Sequence, residues 1–313
     1  NSVKADFPNL MNDRYQKLVA RMDAGELILI DGATGTEIER RGVPQLNNAW
    51  NGGGALSHPS IVREVHQDYI QAGSQIIISN TFATCEHTLQ DTGMAEHFEA
   101  LNRRGVELAI EARDQSHAPD VLVAGGISYW SFTGNKPSLS ALSASVTDQA
   151  RIMKNAGADL LMLEMMIDID RMCVTLEGAL ASDLPVWVGV TCKIDSQGVV
   201  CLRNGEPLSR ALESLKNYKI PLISIMHTEV DIITDCLSAL NESWVGSTGV
   251  YAHSRGDRVK NQNKHAWDFD GVISPEAYLQ ASNEWCAQGI NALGCCCGLG
   301  VEHIKALREN LAT

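Results

Sequence analysis

Three consecutive cysteines, Cys295 to Cys297 in the run NALGCCCGLG, are the densest group of soft metal ligands in the chain. A trans peptide holds neighbouring Cα atoms about 3.8 Å apart, below the roughly 4.4 Å at which ordinary disulfides begin, so the run is a poor covalent staple. Successive strand residues point to opposite faces, and Cys296 and Cys297 converge on one ion only if the chain leaves its strand there. Gly298 and Gly300 make such a turn sterically easy. Two thiolates then need one or two partners to complete a tetrahedral zinc site, and Zn2+ takes imidazole beside thiolate readily. His227, closing the apolar run PLISIMH, is the best third ligand; His253 stands in reserve and Cys295 is a competing thiol. With three protein ligands a fourth coordination position stays open.

The elements that must position these residues follow one repeated pattern: an amphipathic stretch, a break with Gly, then a short apolar run. In HPSIVREVHQDYIQAGSQIIISNT, Ile61, Val62, Val65, Tyr69 and Ile70 recur at helical spacing, Pro59 sits in an early turn and Gly73 is the expected stop. The pattern returns through Gly157 and Gly289. The apolar runs predict eight strands near 27–32, 75–81, 121–126, 159–164, 186–191, 222–227, 244–251 and 290–296. Most lack polar alternation, as buried parallel strands do. Eight such units predict an α/β protein of the (β/α)8 TIM barrel class; an open doubly wound sheet is the alternative, without the G-x-G-x-x-G that would support dinucleotide binding. The expected organisation is one barrel domain over residues 1–313, residues 1–20 being a leading extension or helix. Barrel enzymes place chemistry at the C-terminal ends of their strands. Those ends read Asp31, Asn80, Gly125 with Gly126, Glu164, Cys192, His227, Tyr251 with His253, and the cysteine run.

Bulk properties narrow the function. A formal net charge of −13 without a basic stretch argues against a nucleic-acid partner. No apolar run reaches the roughly 18 to 20 residues that span a bilayer, and the first residues lack the order of a secretion signal, so no membrane partner and a cytoplasmic location are expected. The nine cysteines then read as reduced thiols, with Cys85, Cys173, Cys201, Cys236 and Cys286 as scattered filler.

With these residues in view, the chain resembles the zinc-dependent homocysteine S-methyltransferase family, whose last barrel strand ends in G-G-C-C-G. The match is GCCCG, Gly294 to Gly298, with Cys296 and Cys297 at the ligand positions and Cys295 in place of the second glycine. DGATGTEIERRG at Asp31 to Gly42 is similar to the family's first-strand signature, the unit from Ser57 to Phe82 to its second, and DLLMLEMM to the strand bearing its substrate glutamate. Three departures stand out: His227, in SIMH, replaces the family's third ligand cysteine; Val301 stands where a proline is usual; and YAH, Tyr251 to His253, replaces Y-P-N. The resemblance implies methyl transfer from a sulfonium or quaternary ammonium donor to a zinc-activated thiol, most simply homocysteine, with His227, Cys296 and Cys297 as the metal set.

An amino-acid thiol also needs its ammonium and carboxylate held. By resemblance Glu164 contacts the substrate, and Asp31, Asn80, Gly126 and Tyr251 are further candidates at strand ends. Backbone amides of DGATG and AGGIS could bind a carboxylate. Trp50, Phe82, Trp130, Phe132 and Tyr251 could wall a cationic donor. The expected partners are a small-molecule thiol acceptor and a methyl donor, and a homo-oligomer is compatible with the sequence. The rival readings are a zinc hydrolase, which lacks an H-x-H at Asp31 to Ala33, a zinc or thiol sensor, and a methyltransferase altered to use another thiol.

Overall fold

Apolar runs too short for helices and flanked by glycine stops can bury every residue only as neighbouring strands under a helical coat. The computed structural model describes residues 10–254 and 269–311, so the 1–313 domain reading extends beyond the described residues at 1–9, 255–268 and 312–313. Eight parallel strands run Ile28–Leu29, Ile76–Ile78, Leu122–Ile127, Leu160–Met166, Val186–Val190, Leu222–Glu229, Ser247–His253 and Ala292–Cys295. Each pairs with its neighbours in sequence, and the first pairs with the eighth through Ile28↔Ala292 and Leu29↔Leu293. The remaining seam, between first and second strands, is closed by a parallel bridge at Ile30↔Ile76 and by Asp31 N donating to Ile76 O at 2.9 Å. This is a (β/α)8 barrel, and every strand lies within a few residues of its predicted place.

Strand alternation divides the buried residues into two cores. Ile28, Ile76, Leu122, Leu160, Trp187 and Leu222 fill the barrel interior. Leu29, Ile77, Val123, Leu161, Val188 and Ile223 face the helices. The helix Pro59–Ala72 shows how the coat forms: Pro59 occupies its first turn, Val62, Val65 and Tyr69 make its buried stripe, and Gly73 ends it at φ 113°, a conformation that favours glycine.

Two features position the site. The leading segment forms a helix, Leu10–Asp23, whose Leu18, Met22 and Tyr15 pack on the interior core, with Trp187 Nε1 donating to Tyr15 Oη at 3.0 Å. Arg14 holds it to Asp159, the residue before the fourth strand, at 2.5 Å. It therefore closes the N-terminal end and leaves the C-terminal mouth for chemistry. At that mouth an antiparallel hairpin, Cys192–Ile194 with Val200–Leu202, follows the fifth strand. This hairpin was not predicted. Its turn is made by Asp195, whose Oδ1 accepts from Gln197 N and Val199 N at 2.8 and 2.9 Å.

Candidate metal centre

Two bulges aim the key side chains. In the sixth strand Leu222 and Met226 face the interior and Ile223 and Ile225 face the helices, so strict alternation would send His227 outward. The register with the seventh strand instead shifts between Met226 and Glu229, and His227 takes φ 43°. The fourth strand shifts likewise between Leu163 and Met166, with Met165 at φ 55°. Left-handed backbone at a side chain of this size costs on the order of 1–3 kcal/mol, and such strain gathers at functional sites because surrounding packing holds it there.

The cysteine turn is tied on both sides. Cys295 N donates to Asp31 O at 3.1 Å and Gly298 N to Thr36 Oγ1 at 3.2 Å, toward the first strand. Cys296 N donates to Ala252 O at 2.8 Å and Ser254 N to Cys297 O at 3.2 Å, toward the seventh. Gly298 makes the turn at φ 85°. The ligand atoms of His227, Cys296 and Cys297 all lie within 4.8 Å of one another. His227 Nδ1 is 3.4 Å from Cys296 Sγ, which is 4.0 Å from Cys297 Sγ. A tetrahedral zinc with ordinary Zn–N and Zn–S bonds requires edges of about 3.6 and 3.8 Å. The donor set fits the ion in type and number, and these two edges lie within about 0.2 Å of those lengths.

The two reserve ligands lie elsewhere. Cys295, one residue earlier, faces the helical coat, where burial raises its thiol pKa. His253 packs against the His227 ring instead of joining the triangle, its centroid 4.2 Å away and the planes at 76°. Its Nε2 pairs with Glu229 Oε1 at 2.8 Å. Cys192 is also turned toward the helical coat, beside Cys236.

Glu164 is half-buried at the mouth, and desolvation by the surrounding walls pushes its pKa up to about 8. A Cβ on Gly126 would lie 2.5 Å from Glu164 Oε1, so the bare glycine makes room for this carboxylate. That corrects the expectation of a free amide at AGGIS: the segment is strand, and Gly126 N donates to Ser79 Oγ at 3.3 Å. Asp31 is buried, and its Oδ2 accepts from Ile78 N at 2.8 Å, strapping first strand to second. Burial holds its pKa well above the usual carboxylate range, with the charge of Glu164 adding to the shift. Asn80 is buried too, its amide donating to Asn51 O at 3.2 Å. Tyr251 faces the interior, where burial first and then Glu164 and Cys296 raise its pKa. For Cys296 the cause is the Cys297 thiol, followed by burial; both hold it protonated.

The aromatic residues divide. Phe82 and Trp130 pack on the interior core, as Cys296 does. Trp50 stands edge-to-face behind Phe82 at 6.4 Å, while Phe132 is 38% exposed. The guanidinium of Arg203, just beyond the hairpin, lies 5.1 Å over the Trp130 ring. Sequence reasoning missed Arg203, which is brought to the mouth only by the hairpin.

The family model described as homocysteine S-methyltransferase matches residues 28–311. The homocysteine S-methyltransferase of Escherichia coli is 28% identical over 93% of this chain and 97% of its own. The selenocysteine methyltransferase of Astragalus bisulcatus is 26% identical over 93% and 94%. The crystal structure of an Escherichia coli homocysteine methyltransferase in its metallated form superposes with a TM-score of 0.77 at 25% identity, over 94% of this chain and 99% of that one.

Proposed function

The chain belongs to the homocysteine S-methyltransferase family and is a methyltransferase, and on that premise we propose that it moves a methyl group from a sulfonium or quaternary ammonium donor to homocysteine, using zinc. The observation that carries this reading is the triangle of His227, Cys296 and Cys297 ligand atoms at the barrel mouth, two of its edges close to those of a tetrahedral ion. Zinc held there supplies a thiolate nucleophile at neutral pH, where a free thiol with pKa near 8.5 is mostly protonated.

The chain's own residues do the remainder. Glu164 receives the acceptor's ammonium, and the Gly126 backbone leaves space for the carboxylate to do so. Tyr251 forms part of the inner wall of the barrel, and Asp31 and Asn80 hold the shape of the first two strand ends. Phe82 and Trp130 border the donor position, where an aromatic face favours a cation. A second reading changes only the acceptor: His227 leaves the ligand set one negative charge short of three thiolates, and the similarity to a selenocysteine methyltransferase makes a selenol the first alternative to test.

The test is zinc content in anaerobically purified protein after mild chelation, wild type beside His227→Ala, with methyl transfer assayed across several donors and thiols. About one zinc per chain, lost in the variant, with chelator-reversible activity on homocysteine, is expected. Folded, metal-free protein that keeps its activity overturns the zinc reading. Another acceptor favoured by about tenfold or more overturns homocysteine.

A further inference from the structure

A thiolate ligand accepts a metal over a range of directions, whereas an imidazole lone pair lies in the ring plane and must be aimed. At His227 the backbone is bulged and left-handed, so strand geometry alone does not set the ring. What surrounds the ring is unusually specific. His253 is 3% exposed and stands edge-to-face against it, centroid to centroid 4.2 Å. Glu229, two residues after His227, is the register partner of His253 across the sixth and seventh strands, and its Oε1 meets His253 Nε2 at 2.8 Å. The residues on either side of His253, Ala252 and Ser254, carry the backbone bonds that anchor the cysteine turn. One strand end therefore touches all three candidate ligands.

We propose that Glu229 and His253 are a positioning pair that fixes the ring plane of His227 and so aims its Nδ1 at the space between Cys296 and Cys297. The proposal rests on the metal-site reading above. Outer partners of metal-bound histidines set ring orientation, and their loss commonly costs about 10–100-fold in metal affinity. Here the orienting contact is a second ring with a carboxylate against its outer nitrogen.

The experiment uses the full chain loaded with Co2+, comparing wild type, His253→Ala, His253→Phe and Glu229→Gln by visible ligand-field absorption and by the rate of metal loss to a chelator. Circular dichroism checks the fold. His253→Ala should change the ligand-field bands and lose metal about 10–100-fold faster. His253→Phe keeps a ring but not the close approach to Glu229, and should fall between Ala and wild type. Glu229→Gln, at a half-exposed position that tolerates the change, should shift the bands in the same direction. Wild-type spectra and release rates in both His253→Phe and Glu229→Gln overturn the positioning pair alone. A wild-type chain that binds no Co2+ overturns the metal site and, with it, this proposal.

Discussion

Glu164 is the residue whose chemistry answers most directly to pH. Burial pushes its carboxyl pKa from 4.5 up to about 8, so it is mainly neutral near pH 7. For an acid whose pKa is raised on folding, the associated stability is fully present below the unfolded value and is lost as pH rises through the folded one. Metal-free wild type should therefore lose thermal stability between pH 5 and 9, and Glu164→Gln should flatten that decline; thermal melts across this range check it, and parallel curves would refute the assignment. The same carboxylate must ionise to hold an ammonium. A charged hydrogen bond is worth about 1.5–3 kcal/mol, so Glu164→Gln should raise KM for an amino-acid thiol by about 10- to 100-fold with a smaller effect on kcat.

Among the elements, the third and fourth strands decide whether Glu164 can point where it does. Gly126 and Glu164 lie on adjacent strands, and a methyl group at Gly126 would meet Glu164 Oε1 at 2.5 Å and Ile78 Cγ2 at 2.9 Å. Gly126→Ala should displace the carboxylate, raise KM for the acceptor by about tenfold and cost about 1–3 kcal/mol of stability by overpacking, while metal content stays unchanged. Steady-state kinetics beside metal analysis separates these effects. Unchanged KM would mean that Glu164 does not contact the acceptor. The bulges of the fourth and sixth strands act at the same scale: each adds a residue to one strand of a pair and so redirects the side chains beyond it.

At the scale of the whole molecule the barrel separates its tasks by end. The helix Leu10–Asp23 covers the N-terminal end, and the donor triangle sits at the other, where the strand ends converge. Leu18 is 2% exposed under that helix. Leu18→Ala should destabilise the protein by about 2–5 kcal/mol, read by urea unfolding, yet leave kcat and metal content close to wild type below the transition. A variant that loses metal before it unfolds would show that the two ends are coupled. No helix among the described residues is long and apolar enough to cross a membrane.

Much of this was legible in the sequence because it depends on local properties. Apolar runs and glycine stops are read within a few residues, so all eight strands and the helix ending at Gly73 could be located. His227, Cys296 and Cys297 could be grouped because their types are uncommon and because parallel strands in a closed barrel bring their C-terminal ends together. The direction of each side chain was not local. Cys295 faces the helices and Cys296 the interior as alternation dictates, but Cys297 joins Cys296 only because the chain turns out of the strand there. His253 backs His227 instead of entering the triangle, and Gly126 offers clearance rather than a free amide. Strand alternation has a period of two, so a single bulged residue reverses every later side chain, and only the tertiary pairing determines where the bulges fall.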